Sequence, residues 1–202
     1  MAITGHSGES EVISSGYLAG KLLLAMPMMG DPRFHRAVIF LCAHDEKGAM
    51  GLVVNHTLSG VDFSQLLDQL KIISNIQVDL KNLSIPIMSG GPVEGSRGFL
   101  LHSSEFRQAD TITINPSFSV TGTLDALKAI AKGEGPAHML FILGYAGWGA
   151  GQLEKELQDN SWLVVDPDPD IIFATSPEKK WDVAIQKLGV NPAMLSGVAG
   201  RG

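Results

Sequence analysis

The segment Ala37-Val38-Ile39-Phe40-Leu41-Cys42-Ala43 is apolar on both parities of an extended chain. Side chains of a strand alternate between the two faces of its sheet, so such a run must be covered on both sides. Met139-Leu140-Phe141-Ile142-Leu143 has the same character. A chain with strands of this kind needs helices or a second layer on each face of its sheet. Asp45-Glu46-Lys47-Gly48 reads as a hairpin loop, with Gly48 free to take positive φ, and Met50 to Val54 as the return strand. Such hairpins argue against a purely parallel, doubly wound sheet.

Amphipathic helices supply the cover. Asp62 and Gln65 have capping-box spacing, and Phe63, Leu66, Leu67 and Leu70 follow at helical intervals. Thr123 suits the cap of a second helix with Leu124, Leu127 and Ile130 inward and Gly133 at its exit. Ser176-Pro177 opens a last helix, with Trp181, Ala184, Ile185 and Leu188 on one face and Gly189 at the end. Ile85 to Met88, Phe99 to Leu101, Thr111 to Ile114 and Trp162 to Val165 read as further strands, and Pro86 restricts the first to an edge or an end. Gly90-Gly91-Pro92 is a turn.

The 202 residues suit one domain, expected over 16–202, after a polar, aperiodic N-terminal stretch (1–15) expected to be a mobile tail. With 15 Lys plus Arg against 21 Asp plus Glu, the net charge of −6 disfavours direct DNA binding, which draws on clustered cations. The single cysteine, Cys42, cannot form an intrachain disulfide and sits in a strand as a small buried hydrophobe. Residues 1–15 hold no Lys or Arg, and Pro27 stops the run Leu22 to Met26. A secretory start is therefore not expected, and no apolar run approaches the ~20 residues of a membrane helix. The expectation is a cytoplasmic protein without a membrane segment.

Few motifs point to chemistry. Gly144 to Gly151 reads as a glycine loop between a strand and a helix beginning near Gln152. Its spacing is G-x-G-x-G rather than G-x-G-x-x-G, and Glu154 and Glu156 in the first helical turns would repel a phosphate. A tight backbone crossing that displays Trp148 is the preferred reading. Asp166, Asp168 and Asp170 form a proline-stiffened acidic turn; as a calcium loop they would have Ile171 where glycine is needed. None of the six histidines forms an H-x-x-x-H pair, and His44 is expected to hydrogen-bond at a loop. Asp31-Pro32 starts a single helical turn carrying Arg33, Phe34, His35 and Arg36. No catalytic residue, metal site or cofactor is assigned.

Several blocks together resemble the AlgH/YqgE family of bacterial proteins. They are Gly20 to Pro27, Asp31 to Phe34, His44 to Asn55, Gly90 to Val93, Leu101-His102, Gly144 to Glu154, and Trp162. The resemblance implies an α/β domain whose mixed, largely antiparallel bifurcated sheet folds into a pseudo-barrel with helices packed outside. It brings no accepted activity or catalytic set; the family takes its name from an effect on alginate production, and some members are labelled transcriptional regulators.

The function expected is that of a non-enzymatic regulatory or binding protein. Asp31, Phe34, Gly90, Gly91, Trp148, Gln152 and Glu154 are expected to meet at one shallow, partly apolar cleft that takes an unknown protein or small molecule. The alternative is an enzyme that holds a nucleotide or phosphate-bearing substrate on the Gly144–Gly151 loop.

Overall fold

The computed structural model describes residues 17–70, 85–122 and 124–195. The expected tail (1–15) and the expected helix cap Thr123 lie outside the described residues. The strands are β1 (Leu22–Ala25), β2 (Val38–Asp45), β3 (Gly48–Val53), β4 (Ile87–Ser89), β5 (Val93–Ser103), β6 (Ile112–Thr113), β7 (Phe118–Thr121), β8 (Met139–Gly149) and β9 (Trp162–Val165). The helices are α1 (Phe63–Gln69), α2 (Leu124–Ala131), α3 (Gln152–Gln158) and α4 (Lys180–Lys187). The strands join in the order β6-β7-β5-β8-β3-β2-β1-β9, and β4 adds to β8. Every pairing is antiparallel except β4 with β8.

The sheet curls into a half-barrel. β2 and β7 lie four places apart in the strand order, about 19 Å in a flat sheet. Yet the rings of Phe40 and Phe118 are 5.2 Å apart. The face that brings them together is therefore concave, and it gathers Leu22, Leu24, Val38, Leu52, Leu101 and Ile142 into one core. The convex face carries two separate cores, one under α1 and α2 around Phe63, Leu127 and Phe141, the other under α3 around Leu23, Ile39 and Trp162. Both parities of β2 are thus buried, as its composition requires. The mixed α/β class and the curled, largely antiparallel sheet agree with the sequence reading. α4 lies on the concave side, where Trp181, Ala184 and Ile185 join the core.

β8 is the fork of the sheet. One of its edges pairs with β5, while the other pairs first with β4 over Phe141–Leu143 and then with β3 over Ala146–Gly149. Gly144, at φ +75°, sits where the partner changes. The chain between β4 and β5 crosses β8 there. A Cβ on Gly90 would lie 2.2 Å from the Gly144 carbonyl oxygen, and one on Gly91 2.2 Å from the Tyr145 carbonyl carbon. These glycines let backbone meet backbone. The expected Gly144–Gly151 loop is corrected: glycines 144, 147 and 149 belong to a continuous strand, and only Ala150 and Gly151 lead into α3. Three helix-face expectations also fail at helix ends: Leu124, the first residue of α2, is exposed, and Leu70 and Leu188 are C-caps and exposed.

The acidic turn is tied down by cations, Asp166 to Lys21 and Asp168 to Lys187. α4 is anchored by two buried donors: Trp181 Nε1 donates to the Ala25 carbonyl at 2.9 Å, and Lys180 Nζ donates to the carbonyls of Val54 and Ile172 at 2.8 and 2.7 Å. Burial without a carboxylate partner pushes the Lys180 ammonium down to about 8. Between that value and the ordinary 10.5, the unfolded chain binds the proton and the folded chain does not. Stability from this group therefore rises with pH across the window, with a slope of up to about 1.4 kcal/mol per pH unit. Denaturant titrations should show wild type gaining on Lys180→Met above pH 8, whereas parallel curves would contradict the burial. Separately, Gly144→Ala places a Cβ 2.7 Å from the Gly91 oxygen at positive φ. It should cost at least about 2 kcal/mol of unfolding free energy in the same titrations.

Candidate functional site

The turn before β2 builds one wall of the site. Asp31 Oδ1 accepts from the Arg33 backbone N–H at 3.0 Å, capping the single 3₁₀ turn Pro32–Phe34 as its sequence predicts. The Arg33 guanidinium returns to both carboxylate oxygens, Nε at 3.0 and 3.1 Å and Nη2 at 2.6 Å. That side chain first, then the backbone N–H, holds the Asp31 carboxyl below the usual carboxylate range. Phe34 meets the Trp162 ring edge to face, centroids 5.7 Å apart.

The opposite wall comes from the end of β8, α3 and β9. Gln152 and Glu156 are one helical turn apart and share a face. Glu156 Oε2 accepts from the indole N–H of Trp148 at 2.9 Å and from that of Trp162 at 2.8 Å, and Oε1 accepts from Gln152 Nε2 at 2.9 Å. Gln152 Oε1 in turn accepts from the Gly149 backbone N–H at 3.0 Å. Trp148 and Trp162 pack edge to face at 5.8 Å. Met29, Asp31, Arg33, Phe34 and Pro92 face Gly147, Trp148, Gln152, Glu156 and Trp162 across a hollow of about 150 Å³. A second hollow of about 150 Å³ shares Arg33, Phe34 and Pro92 with it and adds Val53, His56, Ser89 and Gly91.

Four of the residues expected to meet, Asp31, Phe34, Trp148 and Gln152, line the first hollow, and Gly91 lines the second. Gly90 lines neither; it is buried against β8 at the crossing. Glu154 lies two residues from both Gln152 and Glu156, about 200° around the helix. Its Oε1 receives His44 Nε2 at 2.9 Å. His44 is buried rather than at a loop surface, and its Nδ1 accepts from the Leu18 N–H at 3.0 Å, which leaves Nε2 as the protonated nitrogen. Trp148, expected to be displayed, is only 7% exposed because its indole is drawn onto Glu156. Sequence reasoning missed Glu156, Trp162, Met29 and Pro92. The four-residue spacing of Gln152 and Glu156 was the available signal for one of them.

Ser89 and His56 line the second hollow, but no hydrogen bond joins them. His56 Nε2 lies 3.1 Å from the His35 carbonyl oxygen, and burial lowers the imidazole pKa. Cys42 is half-buried, and desolvation pushes its thiol up to about 12. Among the described residues, no three His, Cys, Asp or Glu side chains are grouped to hold a metal ion, and no helix is long and apolar enough to cross a membrane.

A forked, curled sheet clad by helices on its convex face, with an aromatic hollow at the fork, defines a half-barrel α/β protein. The AlgH-like family profile (DUF179) matches residues 22–193, and the chain belongs to this family. It is 54% identical over 189 residues to a "UPF0301 protein" of Bradyrhizobium sp., covering 92% of this chain and 88% of that one. The AlgH protein from Pseudomonas aeruginosa, solved in solution, is 43% identical with TM-score 0.75 over 94% of this chain and 98% of its own. The crystal structure of DIP2367 from Corynebacterium diphtheriae shares the fold at 19% identity and TM-score 0.68, covering 89% of this chain and 91% of that one.

Removing the Glu156 side chain leaves two indole N–H groups, on residues 7% and 3% exposed, without their acceptor. Glu156→Ala should cost about 2–4 kcal/mol in denaturant unfolding, and Glu156→Gln, which keeps a carbonyl acceptor, about 1 kcal/mol. Equal losses in the two variants would contradict the hydrogen-bonded role of the carboxylate.

Proposed function

We propose that this protein is a non-enzymatic regulatory or binding protein of the cytosol, and that its cleft between Arg33-Phe34 and Trp148-Gln152 receives a protein or small-molecule partner. One observation carries the reading. Stretches far apart in the chain close a preformed hollow whose carboxylates, indoles and Gln152 amide are already hydrogen-bonded within the protein, so its shape is set before anything binds. Preorganisation of this kind reduces the ordering cost of association. Mixed apolar and polar lining of small volume suits recognition of one side chain or a small molecule. Gly91 serves by leaving the second hollow open beside the first, and Glu154 serves by holding α3 through His44. Asp31 acts by fixing the Arg33 guanidinium at the rim.

A fragment screen followed by amide and indole NMR shifts tests the reading. Aromatic fragments should move the signals of Phe34, Gln152 and both cleft indoles together, and Phe34→Ala should weaken them at least about tenfold, as the loss of an apolar anchor predicts. Hits that gather on another face, or that are indifferent to Phe34→Ala, would refute it.

A further inference from the structure

The hollow is bounded by a strand edge that the described residues leave open. β5 accompanies β8 only as far as the pair Val93 and Tyr145. From Ala146 to Gly149 the described residues place a partner, β3, on one edge of β8 alone. The direction of the backbone groups follows from two contacts. The Trp148 carbonyl faces β3, since a Cβ on Gly48 would lie 2.1 Å from its oxygen. Gly149 turns the other way and donates its N–H to the Gln152 side chain. Backbone groups two residues apart in a strand point to the same side, so the N–H and C=O of Gly147 face the open edge with those of Gly149. Both glycines are exposed and carry no side chain to obstruct an approaching chain. The Gln152 amide oxygen holds the place where the carbonyl of an added strand would bond.

We propose that this edge takes an extended segment of a partner protein as an added antiparallel strand in line with β5, with one large apolar side chain seated in the aromatic hollow and an acidic group on Arg33. The inference rests on the cleft being the binding site and adds the class of partner. Strand addition supplies affinity through main-chain hydrogen bonds and specificity through pockets for alternate side chains. A residue opposite Trp148 would project from the same face as that indole, toward the hollow. The anchor is apolar because the polar side chains of the hollow are engaged: Asp31 holds Arg33, and Glu156 holds two indoles and Gln152. A polar head there would be desolvated without a partner. About 150 Å³ accommodates one ring or branched side chain. At the rim, Asp31 takes up Nε and one Nη2 hydrogen of Arg33, whereas Nη1 donates to nothing among the described residues. Those free N–H groups complement a carboxylate. Because Arg33 is well exposed, this pair sets selectivity more than affinity.

The experiment uses the full chain and two pools of acetylated, amidated hexapeptides with β-branched frames. One pool fixes Leu, Phe or Trp beside a Glu; the other has Ala at the anchor position. Titrations should favour the apolar-anchor pool at least about tenfold, the order expected from burying one large side chain. Bound peptide should slow hydrogen exchange at the Gly147 amide. Gly147→Pro removes that donor at a strand edge, where proline is tolerated. It should weaken binding at least about fivefold, as loss of one hydrogen bond predicts. If that variant unfolds, exchange at the wild-type Gly147 amide decides alone. Binding without protection of Gly147, equal binding of the Ala pool, or no binding tighter than about 1 mM would overturn the proposal. Fragments that fill the hollow while every peptide fails would sink strand addition and leave the cleft reading standing.

Discussion

Everything in this structure turns on one close contact, the passage of Gly90-Gly91 across Gly144-Tyr145. Two backbones approach there to a distance that no Cβ fits. The crossing places β4 and β5 on opposite edges of β8, although they are separated by only a few residues. It also lets β8 exchange β4 for β3 along one edge, and so the sheet divides. As the incoming chain leaves the edge at Pro92, the last four residues of β8 have a strand partner on one side alone among the described residues. The hollow stands at that gap.

The hollow is held by a small number of strong, partly desolvated hydrogen bonds. A carboxylate that accepts from two indoles is a charge-assisted arrangement in surroundings of low polarity, where such bonds are stronger than in water. Glu156 thereby fixes two large rings with one side chain, and Gln152 links it to the strand end. The Asp31–Arg33 pair on the other wall is exposed, so its value lies in geometry more than in stability. On the far face of the sheet, Lys180 and Trp181 fasten α4 by donating to main-chain carbonyls of β1, the end of β3 and the turn before α4.

The sheet and its cladding were legible because burial writes a pattern along the chain. Doubly apolar β2 implies two covered faces, and the Asp45–Gly48 hairpin and the Asp31-Pro32 turn follow from local backbone chemistry. The fork was not legible. Gly144 to Gly149 looks like a loop by composition, and only the crossing of a second glycine pair makes it a strand. The cleft was readable in part for a related reason. Asp31, Phe34, Trp148 and Gln152 sit in distinctive short motifs, whereas Glu156 and Trp162 look like ordinary helix and strand residues until three-dimensional packing joins them. Glu154 does not line the hollow because helix rotation turns it from the face of Gln152 and Glu156, and the buried His44 that holds it lies 110 residues away.

The central claim is that the cleft is a rigid, internally hydrogen-bonded feature of the folded state. Hydrogen exchange at the two indole N–H groups of Trp148 and Trp162 measures this directly. Held by Glu156 and shielded from solvent, both should exchange as slowly as the amides of the core strands β1 and β2, through global unfolding alone. Indole exchange orders of magnitude faster than those amides would mean that the walls open locally, and that the cleft is not formed before its partner arrives.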